Sequence, residues 1–360
     1  MARFLVFIFA FFMLHFALVA QEPPRLLPAS ITARTPPAAR FDGPGRFPPE
    51  TLQAVQAVRA AADWLARQSL PSGRLTPGFD PRTGHVPDAD HELRQATAAL
   101  ALAEAAAFTG DPAVGATAAQ AVLGLLATTR DENGVRTPTT PADRCNPVAF
   151  AATLVLAADA LPNGPAVDGL VAYLKTQVRA DGGVGCGGDP ATVDRDGLSA
   201  APGLVLRALA KRQPATANAV ANFYRAALRR QFVPEAADAL IPGLAALNDS
   251  AGVFELADRL ASEPPSITTA QGLAVACGVC RAAGDLGRYD RYRRATLAAL
   301  AQSRTLQYTP YSTANLPPAT ARRLTGAVAV AYADPTARPD RAAALVLAHL
   351  RFLASGAEGQ

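Results

Sequence analysis

Two kinds of apolar patterning alternate along this chain. From Thr51 onward, Leu52, Val55, Val58, Ala62 and Leu65 recur at helical spacing, while Gln53, Gln56, Arg59, Asp63 and Arg67 fill the other side. Such spacing puts the first set on one stripe and predicts an amphipathic helix with one wet face. The next segment, roughly 91–108, reads differently. Between Ala96 and Phe108 only Thr97 and Glu104 are polar. A helix that is apolar almost all round is predicted to be buried.

The alternation continues to the end of the chain. Segments near 113–128, 165–179, 215–231, 250–262 and 288–303 are amphipathic, and those near 147–161, 198–210, 236–247, 268–283 and 340–354 are mostly apolar. This gives about twelve helices in six pairs, a repeat in which no single pair can bury its own apolar face. Local echoes mark the repeat. Thr109-Gly110-Asp111-Pro112 and Ala283-Gly284-Asp285-Leu286 both close a buried helix with glycine and open an amphipathic one. Pro202-Gly203-Leu204 and Pro242-Gly243-Leu244 are both expected near the start of a buried helix, where a missing N–H costs little. The apolar helices are expected to form an inner ring and the amphipathic ones an outer ring. An open superhelix of helix pairs satisfies the same pattern. Either way, long connections (71–90, 131–145, 180–197, 304–337) fall on one face and short ones on the other. Long loops on a rigid scaffold are where function is expected.

Half of the residues are hydrophobic, alanine dominates them, and no long run alternates as a strand does. The fold class is therefore all-α. The net charge is only +4, with basic residues scattered and almost all arginine, so nucleic acid is not an expected partner. Met1-Ala2-Arg3, the apolar run Phe4 to Val19 and the small residues up to Ala20 have the layout of a secretory signal peptide cleaved before Gln21. The bulk of Leu18 leaves an uncleaved membrane anchor as the alternative. Residues 21–49, with Pro23-Pro24, Pro36-Pro37 and Pro48-Pro49, read as an extended linker before a folded domain at 50–356. The protein is thus expected outside the cytoplasm, secreted or periplasmic. There disulfides are permitted among Cys145, Cys186, Cys277 and Cys280.

Ser72-Gly73-Arg74-Leu75, Phe79-Asp80-Pro81-Arg82-Thr83-Gly84, Leu93-Arg94-Gln95-Ala96 and Asp334-Pro335-Thr336-Ala337-Arg338-Pro339-Asp340 stand in loops before buried helices. With the six-pair pattern, they make residues 51–355 resemble the α/α toroid superfamily of terpenoid cyclases and protein prenyltransferases. The resemblance is architectural. It implies a toroid of about six helix pairs with Asp80, Arg82, Arg94, Asp334, Arg338 and Asp340 around the long-loop mouth as candidate ligand contacts.

Two family motifs survive in altered form. Asp88-Ala89-Asp90-His91 resembles the DxDD acid motif of class II terpenoid cyclases, which would make Asp90 the proton donor, aided by Asp88, with His91 in place of the last aspartate. Paired carboxyls suit that chemistry because one can stay protonated in a low-dielectric pocket. The aromatic faces that stabilise carbocations are scarce, however, with one Trp in the chain and six of 15 Phe in the leader. Asp88 or Asp90 acting as a helix cap is the structural alternative. Asp143-Arg144-Cys145 resembles the Asp-x-Cys zinc half-site of protein prenyltransferases. Arg341 follows Asp340 where that family has histidine, so Cys186 is the nearest substitute ligand. Given export, a Cys145–Cys186 disulfide is preferred to zinc. Cys277-Gly278-Val279-Cys280 lies in an apolar helix and is expected to be buried thiols. Gly182 to Gly188 lacks the Lys-Ser/Thr of a phosphate loop and is expected to be a tight loop over the ring mouth.

No cofactor is required by this pattern, and zinc is the one metal it admits. The expected function is binding of a ligand or protein partner at the long-loop face. Alternatives are a glycan hydrolase or lyase using mouth carboxylates, or a zinc-dependent prenyltransferase-like or cyclase-like enzyme. The residues alone do not decide whether the chain is an enzyme.

Overall fold

The structure is a computed structural model that describes residues 36–41, 47–87, 90–139, 146–185 and 199–356. The leader, most of the linker, and Asp88, Asp143, Cys145 and Cys186 lie outside the described residues. The Asp143-Cys145 half-site, the Cys145–Cys186 disulfide and the first aspartate of the acid motif therefore lie outside the described residues, whereas Asp90 and His91 lie within them.

The alternation in the sequence becomes two concentric rings. The inner ring is built from α2 (Glu92–Thr109), α4 (Pro147–Ala160), α6 (Ala201–Leu209), α8 (Pro234–Ala246), α10 (Ala270–Ala283) and α13 (Pro339–Ala354). Each packs on the next, and α13 packs back on α2, so the ring is closed. The outer helices are α1 (Pro49–Arg67), α3 (Pro112–Leu126), α5 (Asp168–Thr176), α7 (Pro214–Arg230), α9 (Ser250–Leu260) and α11 (Leu286–Thr305). Each bridges two inner neighbours. A short α12 (Pro318–Leu324) lies in the last long loop. Small side chains let the inner helices crowd together. In α2, Ala96, Ala98, Ala99, Ala101, Ala103 and Ala105 are all buried.

Local chemistry explains the junctions. Gly110 and Gly284 end α2 and α10 in the left-handed region, at φ 71° and 72°. Asp111 and Asp285 then cap the next helices, accepting from the N–H of Ala113 at 2.8 Å and of Arg288 at 3.0 Å. Pro202 sits in the first turn of α6 as expected. Pro242 does not: α8 begins at Pro234, so Pro242 stands in its interior. It offers no N–H to the carbonyl of Asp238 one turn earlier. The two echoing glycines have a shared role that spacing did not show. A Cβ at Gly203 would lie 2.3 Å from the Ala239 carbonyl, and one at Gly243 would lie 2.4 Å from Leu206 Cγ. Both clear the path for α6 against α8.

A second repeat, missed in the sequence, organises three of the long loops. After α1, α5 and α11 the chain makes short antiparallel bridges, Ser69 with Leu75, Val178 with Val184 and Gln307 with Val328. In each, a positive-φ glycine meets the backbone of an outer helix. A Cβ at Gly73 would lie 2.5 Å from the Gln120 carbonyl oxygen, and one at Gly182 or Gly326 would lie 2.1 Å from that of Ala219 or Ala60. The last contact also serves closure, since Gln307 Nε2 donates to Ala57 of α1 at 3.1 Å. Gly182 to Gly185, the described part of the glycine-rich loop, thus form a packing turn.

Two expectations are corrected here. The loop after α3 holds a hairpin, β1 (Thr129–Glu132) with β2 (Val135–Pro138). Asn133 and Gly134, at φ 56° and 81°, make its two-residue turn, a signal visible in the sequence but not used. The end of the proposed linker is also packed. Pro37–Phe41 form a 3-10 turn against α2 with Ala38 and Phe41 buried, and the Phe41 ring lies 6.0 Å from that of Phe108. Apolar burial outweighs the extended preference of its prolines.

Candidate functional site

The long-loop face brings the expected ligand residues together but uses them on one another. Phe79 and Ala337 exchange backbone hydrogen bonds of 2.9 and 2.8 Å, which sets the loop after α1 beside the loop before α13. Asp80, Arg82 and Asp334 become electrostatic neighbours. His91, Arg94 and Asp340 form a second group. Within these groups the carboxylates build turns and pairs. Asp80 Oδ1 accepts from the Arg82 N–H at 2.9 Å, and Asp334 Oδ1 accepts from the Thr336 N–H at 3.1 Å. Hydrogen bonds from those same residues hold both carboxyls below the ordinary value. Asp340 takes both ends of the Arg338 fork, at 2.9 and 2.6 Å.

Asp90 is likewise committed. Its carboxylate accepts from Arg74 Nη2 at 2.8 Å and from Gln95 Nε2 at 2.9 Å. Gln95 in turn holds the backbone of Leu75, accepting from its N–H at 2.7 Å and donating to its carbonyl at 2.9 Å. Asp90 is the acceptor in each of these contacts. It is not the helix cap either. His91 caps α2, its Nδ1 accepting from the Arg94 N–H at 3.4 Å. The described residues also form no zinc site: among them no three His, Cys, Asp or Glu side chains converge. Cys277 and Cys280 are buried free thiols, pushed up to about 12 and about 11 by burial.

A large cavity opens at the opposite, short-loop end of the ring. It measures about 700 Å³ and lies among the C-terminal halves of inner helices. Its apolar lining comes from Phe108 of α2, Leu156 and Ala160 of α4, Ala208 of α6, Pro242 and Ala246 of α8, and Leu350 of α13. Pro37 of the N-terminal turn edges it. This cavity lies on the face opposite the one that loop length pointed to.

Polar groups converge inside it from three inner helices. Glu104 Oε1 accepts from Arg207 Nη2 of α6 at 2.8 Å and also from Arg351 Nη2 of α13. Helix α4 stands between α2 and α6 in the ring, so the ion triad reaches across the inner wall and not along one contact. Burial opposes the charge on Glu104, but Arg351 and Arg207 outweigh it and hold the carboxyl below its ordinary value. Arg207 is pushed down, first by burial and then by the like charge of Arg351. At the rim, Asp159 is paired with Arg212, and Lys211 is exposed. Sequence reasoning noted Glu104 only as one of two polar residues in an apolar helix. Arg207 and Arg351 are similar isolated charges in the apolar segments 198–210 and 340–354. That shared oddity was the available signal.

No protein-family model matches this sequence, and a search of curated proteins gives no match. A search of solved structures finds a variant of the type II terpene cyclase MstE from Scytonema in complex with its substrate, geranylgeranyl dihydroxybenzoate. The similarity has a TM-score of 0.52 at 13% sequence identity, over 86% of this chain and 99% of that one. The fold is thus shared with terpenoid cyclases.

Proposed function

We propose that this chain is an exported α/α-toroid protein that binds an amphiphile with a long apolar body in the cavity at the short-loop end. The cavity carries this reading. A volume of about 700 Å³, largely apolar walls and a few converging polar groups are the usual makeup of a small-molecule site. An isoprenoid chain is the first ligand to try, because a protein of the same fold is bound to a geranylgeranyl compound. Binding is favoured over cyclisation. Asp90 is tied up by Arg74 and Gln95, and among the described residues Phe108 is the one aromatic side chain that lines the cavity. The leader supports export, with the mature protein starting at Gln21.

Calorimetric titration with geranylgeraniol in detergent below its micelle concentration tests the cavity. Saturable one-to-one binding is expected, and Ala246→Trp, which fills the apolar wall, should abolish it. Absence of binding, or unchanged binding by the folded variant, would overturn the proposal. N-terminal sequencing of the protein recovered from outside the cytoplasm tests export, with Gln21 as the expected first residue.

A further inference from the structure

The ion triad in the cavity does not balance. Arg207 and Arg351 bring two positive charges to one carboxylate, and both use Nη2 on the same oxygen of Glu104. Neither makes another ion pair among the described residues. A guanidinium carries five N–H donors in a planar fork, so each fork has donors left over. The three side chains are only 12 to 21% exposed. A surplus charge at such a site is costly unless an anion joins it. The surplus faces the cavity, so a ligand entering there meets both an apolar wall and one net positive charge.

We propose that Arg207 and Arg351 form the seat of a carboxylate head group, with Glu104 as a built-in anion that holds the two forks in place and competes with the ligand for them. This rests on the reading of the cavity as a binding site and names the chemistry of what it binds. Within the triad one positive charge is in surplus, and one carboxylate neutralises it. A planar carboxylate also matches the unused edge of a guanidinium, where two parallel N–H···O bonds form. Lys211, one turn beyond Arg207, adds a further cation at the rim. It is exposed, so water and salt weaken its pull. A phosphate dianion would need Lys211 as much as the arginines, and that separates the two heads experimentally.

Three ligands with one tail decide the matter: geranylgeraniol, geranylgeranoic acid and geranylgeranyl phosphate. Each is titrated into wild type, Glu104→Gln, Arg351→Met and Lys211→Ala, with a thermal melt to confirm folding. Wild type should bind the acid at least tenfold tighter than the alcohol. Glu104→Gln should tighten the acid severalfold and raise the ratio of acid to alcohol affinity, an effect no merely structural residue produces. Arg351→Met should erase the preference for the acid. If Arg351→Met fails to fold, Glu104→Gln alone still decides. Equal binding of acid and alcohol by wild type, or weaker acid binding by Glu104→Gln, would overturn the carboxylate seat while leaving the cavity proposal standing. Phosphate binding tighter than acid, and lost in Lys211→Ala, would overturn the monoanion assignment. Failure of all three ligands would remove the cavity proposal itself, and this inference with it.

Discussion

Trp64 and Arg323 lie 259 residues apart in the chain, yet the Trp64 indole N–H donates to the Arg323 carbonyl at 2.9 Å. The bond fastens the last long loop to the first helix, beside the bond from Arg67 Nη2 to the Thr325 carbonyl at 2.5 Å. The one tryptophan of the chain is thus a clasp of the ring, fully buried on the side of α1 that faces the loop. Trp64→Phe keeps most of the apolar contact and leaves the carbonyl without its donor. A loss of about 1–3 kcal/mol is expected. Urea unfolding should show a lower midpoint, and an unchanged midpoint would mean the clasp contributes nothing.

Two glycines separate the cost of backbone conformation from the cost of contact. Gly84 and Gly182 have φ of 72° and 92°. A Cβ at Gly84 would meet nothing within 4 Å, whereas one at Gly182 would lie 2.1 Å from the Ala219 carbonyl oxygen. Gly84→Ala should cost about 1–2 kcal/mol for the left-handed conformation alone. Gly182→Ala should cost clearly more, because the loop must also lift off α7. Equal losses in parallel thermal melts would show that the turn does not press on that helix.

Asp238 couples the ring to pH. It is buried in α8, and its Oδ1 accepts from the Gly272 N–H at the start of α10 at 2.6 Å. Burial pushes its carboxyl up to about 8, against the pull of the backbone N–H groups of Gly272 and Gln271. Between about pH 4 and pH 8 the folded protein therefore holds a proton that the unfolded chain has released. Stability from this group is full at low pH and is lost as pH rises through that window. Asp238→Asn keeps an acceptor for Gly272 and removes the titration. Unfolding at pH 5, 6.5 and 8 should show wild type losing ground to the variant, and parallel curves would refute the shift.

His349 acts in the opposite sense. It lies wholly inside α13, with Nδ1 2.8 Å from the Leu345 carbonyl and Nε2 without a partner among the described residues. Burial pushes it down to about 3. The unfolded chain takes up a proton near the ordinary histidine value of about 6.5, and the folded protein does not. Stability is thus present above about pH 6.5 and lost as pH falls toward 3. His349→Leu should shift acid unfolding to lower pH, as monitored by circular dichroism. An unmoved acid transition would sink this account.

The sequence by itself determined the all-α class, the positions of the helices and their sorting into inner and outer. Helical periodicity and the near-absence of polar residues in segments such as 96–108 act locally, and burial follows directly from them. It also carried the capping chemistry at Gly110-Asp111 and Gly284-Asp285, because a cap is made by residues adjacent in the chain. The sequence did not decide between a closed ring and an open superhelix. Closure depends on α13 meeting α2 and on Trp64 reaching Arg323, contacts between residues far apart in the chain that local patterning does not specify. Nor did it locate the cavity. Loop length pointed to one face, whereas the cavity lies among residues near the C-terminal ends of five inner helices, brought together only by the closed ring. Glu104 reads along the chain as a lone charge in an apolar helix. Arg207 and Arg351, 103 and 247 residues away, become its partners only when the ring closes, because an ion triad is a property of distance in space.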